Sequence, residues 1–396
     1  MSRALEIKKG VYWVGVVDWN MRSFHGHTFS TSRGSSYNAY LIVDEKTALV
    51  DTVYAPFTRE MLDNIRRIID PAKIDYIIAN HVETDHSGAL PELLKVCPKA
   101  KVFGTEKCKE GLYKNYYCGM DFQVVKTGDT LSLGKKTLTF IEAPMIHWPD
   151  SMFTYCREDE LLLPNDAFGQ HLAGSSLFND QADSCELMDE AKKYYANILW
   201  PLGTVISRKI DELLKLNLPV SMIAPSHGII WRKDPLQIVK AYIGWAKQET
   251  KPKVIVVYET MWGSTGKMAR VISDTLIGRG LEVKLCDVNS CDRTDVFKDM
   301  LDAKGFLFGS STHDNGMLPN LAGFLYLLKG FKAKGRLAGV FGSYGWAGGA
   351  VKEIEEFLKS AGIEAAVPSC SAKFVPDEQE TAACVKFAGD FADKIK

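Results

Sequence analysis

The sequence predicts an α/β protein of two domains, the second built on a doubly wound parallel sheet. Three observations carry this. The chain has 396 residues, long for one ordinary domain of roughly 100–200. Residues 1–250 mix short strand-like runs, several alternating as antiparallel strands do, with polar loops. Residues 251–396 alternate continuous apolar strands with helical stretches, the pattern of a parallel sheet covered on both faces.

The elements follow in order. AYLIV (39–43), TALVDTV (47–53), IDYIIAN (74–80) and KVFGT (101–105) are short apolar or β-branched runs. FQVVKTGDTLSLG (122–134) and KTLTFIEAP (136–144) alternate and are joined by a Gly-Lys turn. Helical periodicity appears at FTREMLDNIRRII (57–69) and around 184–216. The polar stretch KQETKPK (247–253) marks the expected boundary. Beyond it come the strand KVIVVYET (253–260), a helix from about Lys267 to Gly278, and the strands LEVKLCDV (281–288), GFLFGSST (305–312), RLAGVFGSYG (336–345) and EAAVPSC (364–370).

Composition excludes several classes. Lys+Arg is 48 and Asp+Glu 49, too balanced for electrostatic nucleic-acid binding. No apolar run reaches the ~20 residues that cross a bilayer, and the N-terminal segment has no signal-peptide core. Nine scattered cysteines, without a CxxC, fit reduced thiols and a cytoplasmic location. They also argue against a four-cysteine iron site within the chain.

The densest chemistry is IIANHVETDHSGA. His81, Glu83, Asp85 and His86 follow a buried strand; in extended chain 81, 83 and 85 share one side, and His86 could reach a second metal. KTLTFIEAPMIH ends at His147, ELLLPND at Asp166 and VSMIAPSH at His227, each a strand exit bearing a ligand-type residue. A lone histidine there is usually capped or exposed, and a lone aspartate usually forms a turn. Repetition at several strand exits, one of them HxExDH, favours a metal site.

The second half offers another site. YETMWGSTGKMA follows a strand and opens a helix, whose N-terminus presents free N–H groups to a phosphate. Thr260, Met261, Trp262, Gly263, Ser264 and Thr265 form this loop. It is too short for a triphosphate-binding GxxxxGK[ST] loop and lacks GxGxxG. Two further strand-end loops carry Thr312, His313, Asp314 and Asn315, then Ser343, Tyr344, Gly345, Trp346 and Gly348. Any of Trp262, Tyr344 and Trp346 could flank a flat ring, and His313 and Asn315 could bond its edge. Any one loop could be a plain turn; three at one edge of a parallel sheet suit FMN.

HxExDH with the later His, Asp and His resembles the metallo-β-lactamase fold, an αββα sandwich, whose zinc hydrolases carry HxHxDH; Glu83 replaces the second histidine. With the flavodoxin-like half, the whole chain resembles the flavodiiron proteins (A-type flavoproteins), especially the nitric oxide reductases of anaerobes. The resemblance implies one iron on His81, Glu83 and His147, another on Asp85, His86 and His227, and Asp166 as bridge. It implies His25 and Tyr195 as donors near the substrate; no motif supports His171. Two ferrous ions against three carboxylates and a hydroxide leave the site nearly neutral, and carboxylate with imidazole suits iron. The family reduces nitric oxide to nitrous oxide, dioxygen to water, or both, with FMN relaying electrons from a rubredoxin-type donor. The implied assembly is a head-to-tail homodimer or a dimer of dimers. The competing readings are a lactamase-fold hydrolase with a regulatory flavodoxin domain, which a metal-activated water would serve, and an electron carrier with an inactive metal domain.

Overall fold

A computed structural model describes residues 4–395. The chain forms two compact units: residues 1–194 with 204–243, and residues 195–203 with 244–396.

The first unit is an αββα sandwich. Its seven-stranded sheet runs Leu5–Lys8, Val11–Trp13, Tyr40–Val43, Thr47–Val50, Tyr76–Ile78, Lys101–Gly104, Asp121–Val124. Pairing is antiparallel up to Thr47–Val50 and parallel beyond. The five-stranded sheet runs Thr130–Ser132, Thr137–Glu142, Met152–Cys156, Leu161–Leu163, Met222–Ile223. Alternation decides which side chains meet. Leu41, Leu49 and Ile77 turn to helices bearing Met61, Ile65, Leu90 and Leu93, whereas Tyr40, Ile42, Val50 and Ile78 pack against Leu138, Phe140, Met152 and Leu161 of the second sheet. The run 122–134 does not stay in one sheet: Asp121–Val124 ends the first sheet, and Thr130–Ser132 starts the second as a hairpin with Thr137–Glu142.

The second unit holds a parallel sheet ordered Glu282–Asp287, Lys251–Glu259, Ala303–Ser311, Leu337–Tyr344, Glu364–Ala365. Numbered along the unit this is 2-1-3-4-5, the flavodoxin-like order, whose switch point lies beside the first strand. Val254, Val256, Leu307 and Phe341 pack against Met268, Ile272, Phe387 and Phe391 of the covering helices. The expected strand EAAVPSC is broken: Glu364–Ala365 and Cys370–Lys373 pair separately with Leu337–Tyr344. Pro368, which cannot donate to a ladder, lies in the gap.

Residues 195–203 also belong to this unit. The Trp200 ring stacks on Phe331 at 5.5 Å, and Asn197 Nδ2 donates to the Thr294 carbonyl at 3.0 Å. The sequence pattern suggests one cut near 247–253; the compact units part at 243/244, and the chain enters the second unit twice.

Candidate metal centre and flavin cavity

The strand Tyr76–Ile78 delivers Asn80 and His81 into the first centre. Extended parity holds as far as Glu83. A short helix, Thr84–Ser87, then begins, so Asp85 leaves the side of His81 and Glu83 and groups with His86. His147, Asp166 and His227 arrive on the other three strand exits. Two clusters result: His81, Glu83, His147 and Asp166; and Asp85, His86 and His227.

The distances between potential donor atoms are those of ligands around a shared ion. Nε2 of both His81 and His147 lies 3.3 Å from Glu83 Oε2. Nε2 of His86 and of His227 lie 3.4 and 3.1 Å from Asp85 Oδ2. Two atoms each ~2.1 Å from one ion stand about 3.0–3.4 Å apart. Asp166 divides its carboxylate between the clusters. Its Oδ2 faces His147 at 3.3 Å and His81 at 3.7 Å; its Oδ1 faces His86 at 3.1 Å and His227 at 3.4 Å.

The residues present fit metal ions. Among the described residues, buried Asp85 Oδ1 and Oδ2, Asp166 Oδ2 and His227 Nε2 have no hydrogen-bond partner. Buried carboxylate oxygens without donors are costly, and a cation removes that cost. The donor set, imidazole with carboxylate and no thiolate, is the kind that holds iron.

Neighbours orient the ligands. Asp150 Oδ2 accepts from His81 Nδ1 at 2.9 Å and from the Val82 N–H at 2.7 Å. His227 Nδ1 donates to the Ser36 carbonyl at 2.7 Å. Each contact directs Nε2 toward the centre. Gly228, at φ +75°, follows His227; a Cβ there would stand 1.6 Å from Gln170 Oε1. Asp51, at the exit of Thr47–Val50, accepts from the Asn80 N–H at 2.8 Å and from Asn165 Nδ2 at 3.1 Å, tying the His81 loop to the Asp166 loop. Burial pushes the Asp51 carboxyl up, and His86 opposes it. Burial acts likewise on Asp166, but His86 and His147 outweigh it and hold this carboxyl well below the usual range. For His86, burial opposes the charge, but Asp85 and Asp166 push the imidazole up to about 9.

His25 Nε2 lies 3.2 Å from Glu83 Oε1. The tyrosine on the centre is Tyr194, not Tyr195: its hydroxyl donates to Asp166 Oδ1 at 3.0 Å. Tyr195 belongs to the second unit, its ring 5.2 Å from Trp245. Neighbouring helical residues point about 100° apart, so one position decides which side chain meets the carboxylate. His171, in neither cluster, packs 4.8 Å from the His227 ring and bonds Ser35 Oγ through Nδ1 at 2.8 Å. Burial, then His227, keep it well below the ordinary histidine range. Asp150 went unforeseen, although its position three residues after His147 was a signal. Asp51 stands at a strand exit like the ligands.

In the second unit, Met261, Trp262, Ser264, Thr312, Asp314, Asn315, Ser343, Tyr344, Gly345 and Trp346 line a cavity of about 590 Å³. The helix Ser264–Gly278 starts at its rim, preceded by Gly263 at φ 90°. That left-handed turn favours glycine. Thr260 Oγ1 accepts from the Gly263 N–H at 3.1 Å. Thr265 lies beneath the rim, its hydroxyl 2.8 Å from Ser343 and 3.0 Å from Ser311, joining all three loops. His313 pairs with Gly316 inside its loop, and Gly348 lines a smaller neighbouring cavity with Thr312 and Ser343. Trp262 and Trp346 are 89% and 91% exposed. Sequence reading missed Phe374 and Val375, which form part of the wall after the Cys370–Lys373 strand.

The fold and sites define a metallo-β-lactamase-like domain followed by a flavodoxin domain. Residues 36–228 match the ODP family beta lactamase model and residues 256–387 the flavodoxin model. A nitric oxide reductase of Moorella thermoacetica is 52% identical over 100% of both chains. An anaerobic nitric oxide reductase flavorubredoxin of Klebsiella pneumoniae is 42% identical over 98% of this chain and 81% of that protein. Among solved structures, the rubredoxin oxygen:oxidoreductase of Desulfovibrio gigas superposes with a TM-score of 0.97 at 38% identity, covering 99% of this chain and 98% of that one. The flavodiiron protein of Giardia intestinalis gives 0.94 at 35% identity, covering 100% and 97%. The chain belongs to the flavodiiron protein family, whose members are oxidoreductases.

Proposed function

We propose that this chain reduces nitric oxide to nitrous oxide, dioxygen to water, or both, with electrons from a rubredoxin-type carrier. The divided carboxylate of Asp166 supports this most directly, because one of its oxygens faces His81 and His147 and the other faces His86 and His227. His81, Glu83 and His147 would hold one iron and Asp85, His86 and His227 the other. FMN would occupy the cavity formed by the three loops, its phosphate at the Ser264 helix start. Held there, the irons would supply the binding and reduction of the gas, and FMN the electrons. The balances are 2 NO + 2 e⁻ + 2 H⁺ → N₂O + H₂O and O₂ + 4 e⁻ + 4 H⁺ → 2 H₂O.

The chain's own residues position and protonate. Asp150 and the Ser36 carbonyl fix the His81 and His227 rings. Tyr194 orients the bridge, and His25, partly exposed beside Glu83, is placed to bring protons inward. No helix among the described residues is long and apolar enough to cross a membrane. The cytoplasmic location inferred here rests on the nine scattered cysteines. We also infer a head-to-tail homodimer, alone or paired into a tetramer. The exposed tryptophans around the flavin cavity suit a protein partner there.

The test is anaerobic reduction by a rubredoxin system, with nitric oxide and dioxygen consumption measured separately at matched concentrations. The proposal expects turnover of nitric oxide with nitrous oxide as product, dioxygen uptake ending in water, or both. Absence of both activities in protein carrying two irons and one FMN would overturn it.

A further inference from the structure

The second unit carries a feature that the proposed reaction does not use. Cys370 opens the strand Cys370–Lys373, and Cys384 lies on the C-terminal helix Glu378–Ile395. Both are buried, and their sulfurs stand 3.6 Å apart. Closing this gap to the ~2.05 Å of a disulfide needs an approach of about 1.5 Å. The strand has neighbours along its length: Cys370 sits opposite Phe341, and Lys373 opposite Tyr344.

The chain between the two cysteines forms part of the flavin cavity. Phe374 and Val375 stand in its wall. Phe374 is anchored by its N–H to the Tyr344 carbonyl at 2.7 Å. The Glu380 carboxylate closes the turn, accepting from the Lys373 N–H at 2.7 Å and the Asp377 N–H at 3.1 Å. A bond between the sulfurs would therefore tie the base of a loop that touches the cofactor cavity.

We propose that Cys370 and Cys384 form a reversible dithiol/disulfide site, oxidised by small peroxides, whose disulfide clasps the Phe374–Val375 wall. Cys370 is the more accessible sulfur, 6% exposed against 1% for Cys384, and the neighbouring Cys384 thiol favours a negative charge on it, so Cys370 reacts first. Its thiolate attacks hydrogen peroxide, the O–O bond breaks, and with one proton a sulfenic acid and water form. The Cys384 sulfur then attacks the Cys370 sulfur, forming S–S as hydroxide leaves and takes up the Cys384 proton. In sum, two thiols and one peroxide give a disulfide and two waters; the sulfurs lose two electrons and the peroxide gains them. Peroxide, neutral and little larger than water, suits a buried pair better than bulky disulfides.

The sulfur chemistry is independent of the proposed reaction; only its effect on the cofactor rests on the FMN reading. The experiment uses the full chain, pre-reduced, treated anaerobically with a few equivalents of hydrogen peroxide, alkylated and mapped by mass spectrometry. The expected product joins the Cys370 and Cys384 peptides with the loss of two hydrogens and reverts with dithiothreitol. Cys384→Ser should instead leave a sulfenic acid on Cys370, trapped by a 1,3-dione, and Cys370→Ser should give no linkage. FMN release on dilution should slow several-fold in the oxidised wild type and not in Cys370→Ser. Both cysteines remaining alkylatable while exposed Cys185 is oxidised would overturn the site, as would linkage to a different cysteine. A 370–384 linkage with unchanged FMN release would overturn the clasp.

Discussion

At the scale of single residues, Asp166 connects the two halves of the centre. Removing it takes away one oxygen facing each cluster and a charge that would offset two bound cations. Asp166→Ala should lose iron and nitric oxide turnover while the flavin spectrum survives, because the FMN cavity is built from the other unit. Elemental analysis beside the visible spectrum checks this; a variant that kept both irons and its turnover would refute the bridging role. The adjacent tyrosines make a sharper pair. Tyr194→Phe removes a hydrogen bond to a buried carboxylate, a contact of about 1.5–3 kcal/mol. It should perturb the ligand-field spectrum of the irons and lower turnover. Tyr195→Phe should leave that spectrum as it was, and equal spectral shifts in the two variants would count against the Tyr194 assignment.

At the scale of elements, the strand exits act as a common mounting. His81, His147, Asp166 and His227 each follow a strand that adjoining strands hold in register. That pattern is visible in sequence because it is local: an apolar run, then a ligand-type residue. The short helix at Thr84 is not announced in the same way, and it decides that Asp85 sides with His86. The segment 195–203 is another such element. Trp200 is buried against Phe331 of the second unit, with Asn197 bonded beside it. Trp200→Ala should destabilise that unit by about 3–5 kcal/mol. Thermal melts followed by flavin fluorescence should show an earlier FMN-release transition. An unshifted transition would mean that the segment contributes little to the unit.

At the scale of the whole molecule, the proposed reaction requires electrons to pass between two separately built sites. In a head-to-tail dimer, the flavin of one chain would serve the irons of the other, and a two-fold interface makes that contact twice. Complementation tests this. One variant carries His81→Ala with His147→Ala; the other carries Ser264→Asp with Thr265→Asp. Each should be inactive alone, and a mixed dimer should recover one working site. Mixed dimers that form yet stay inactive would place transfer within one chain.

The sequence by itself determined the α/β architecture of both halves, because strand and helix periods are local consequences of side-chain direction. It also marked the seven ligand candidates and the three loops of the flavin cavity, because each follows an apolar strand. Tertiary structure alone decided that Tyr194 rather than Tyr195 reaches Asp166, that Asp150 and Asp51 brace the ligand loops, and that Phe374 and Val375 wall the cavity. It also decided that residues 195–203 pack with a unit whose other residues begin at Gly244. Each of these depends on partners far away in the chain, or on the rotation of a helix by a single residue. A local pattern of apolar and polar side chains carries neither; they are settled only when the packed core fixes where every backbone segment lies.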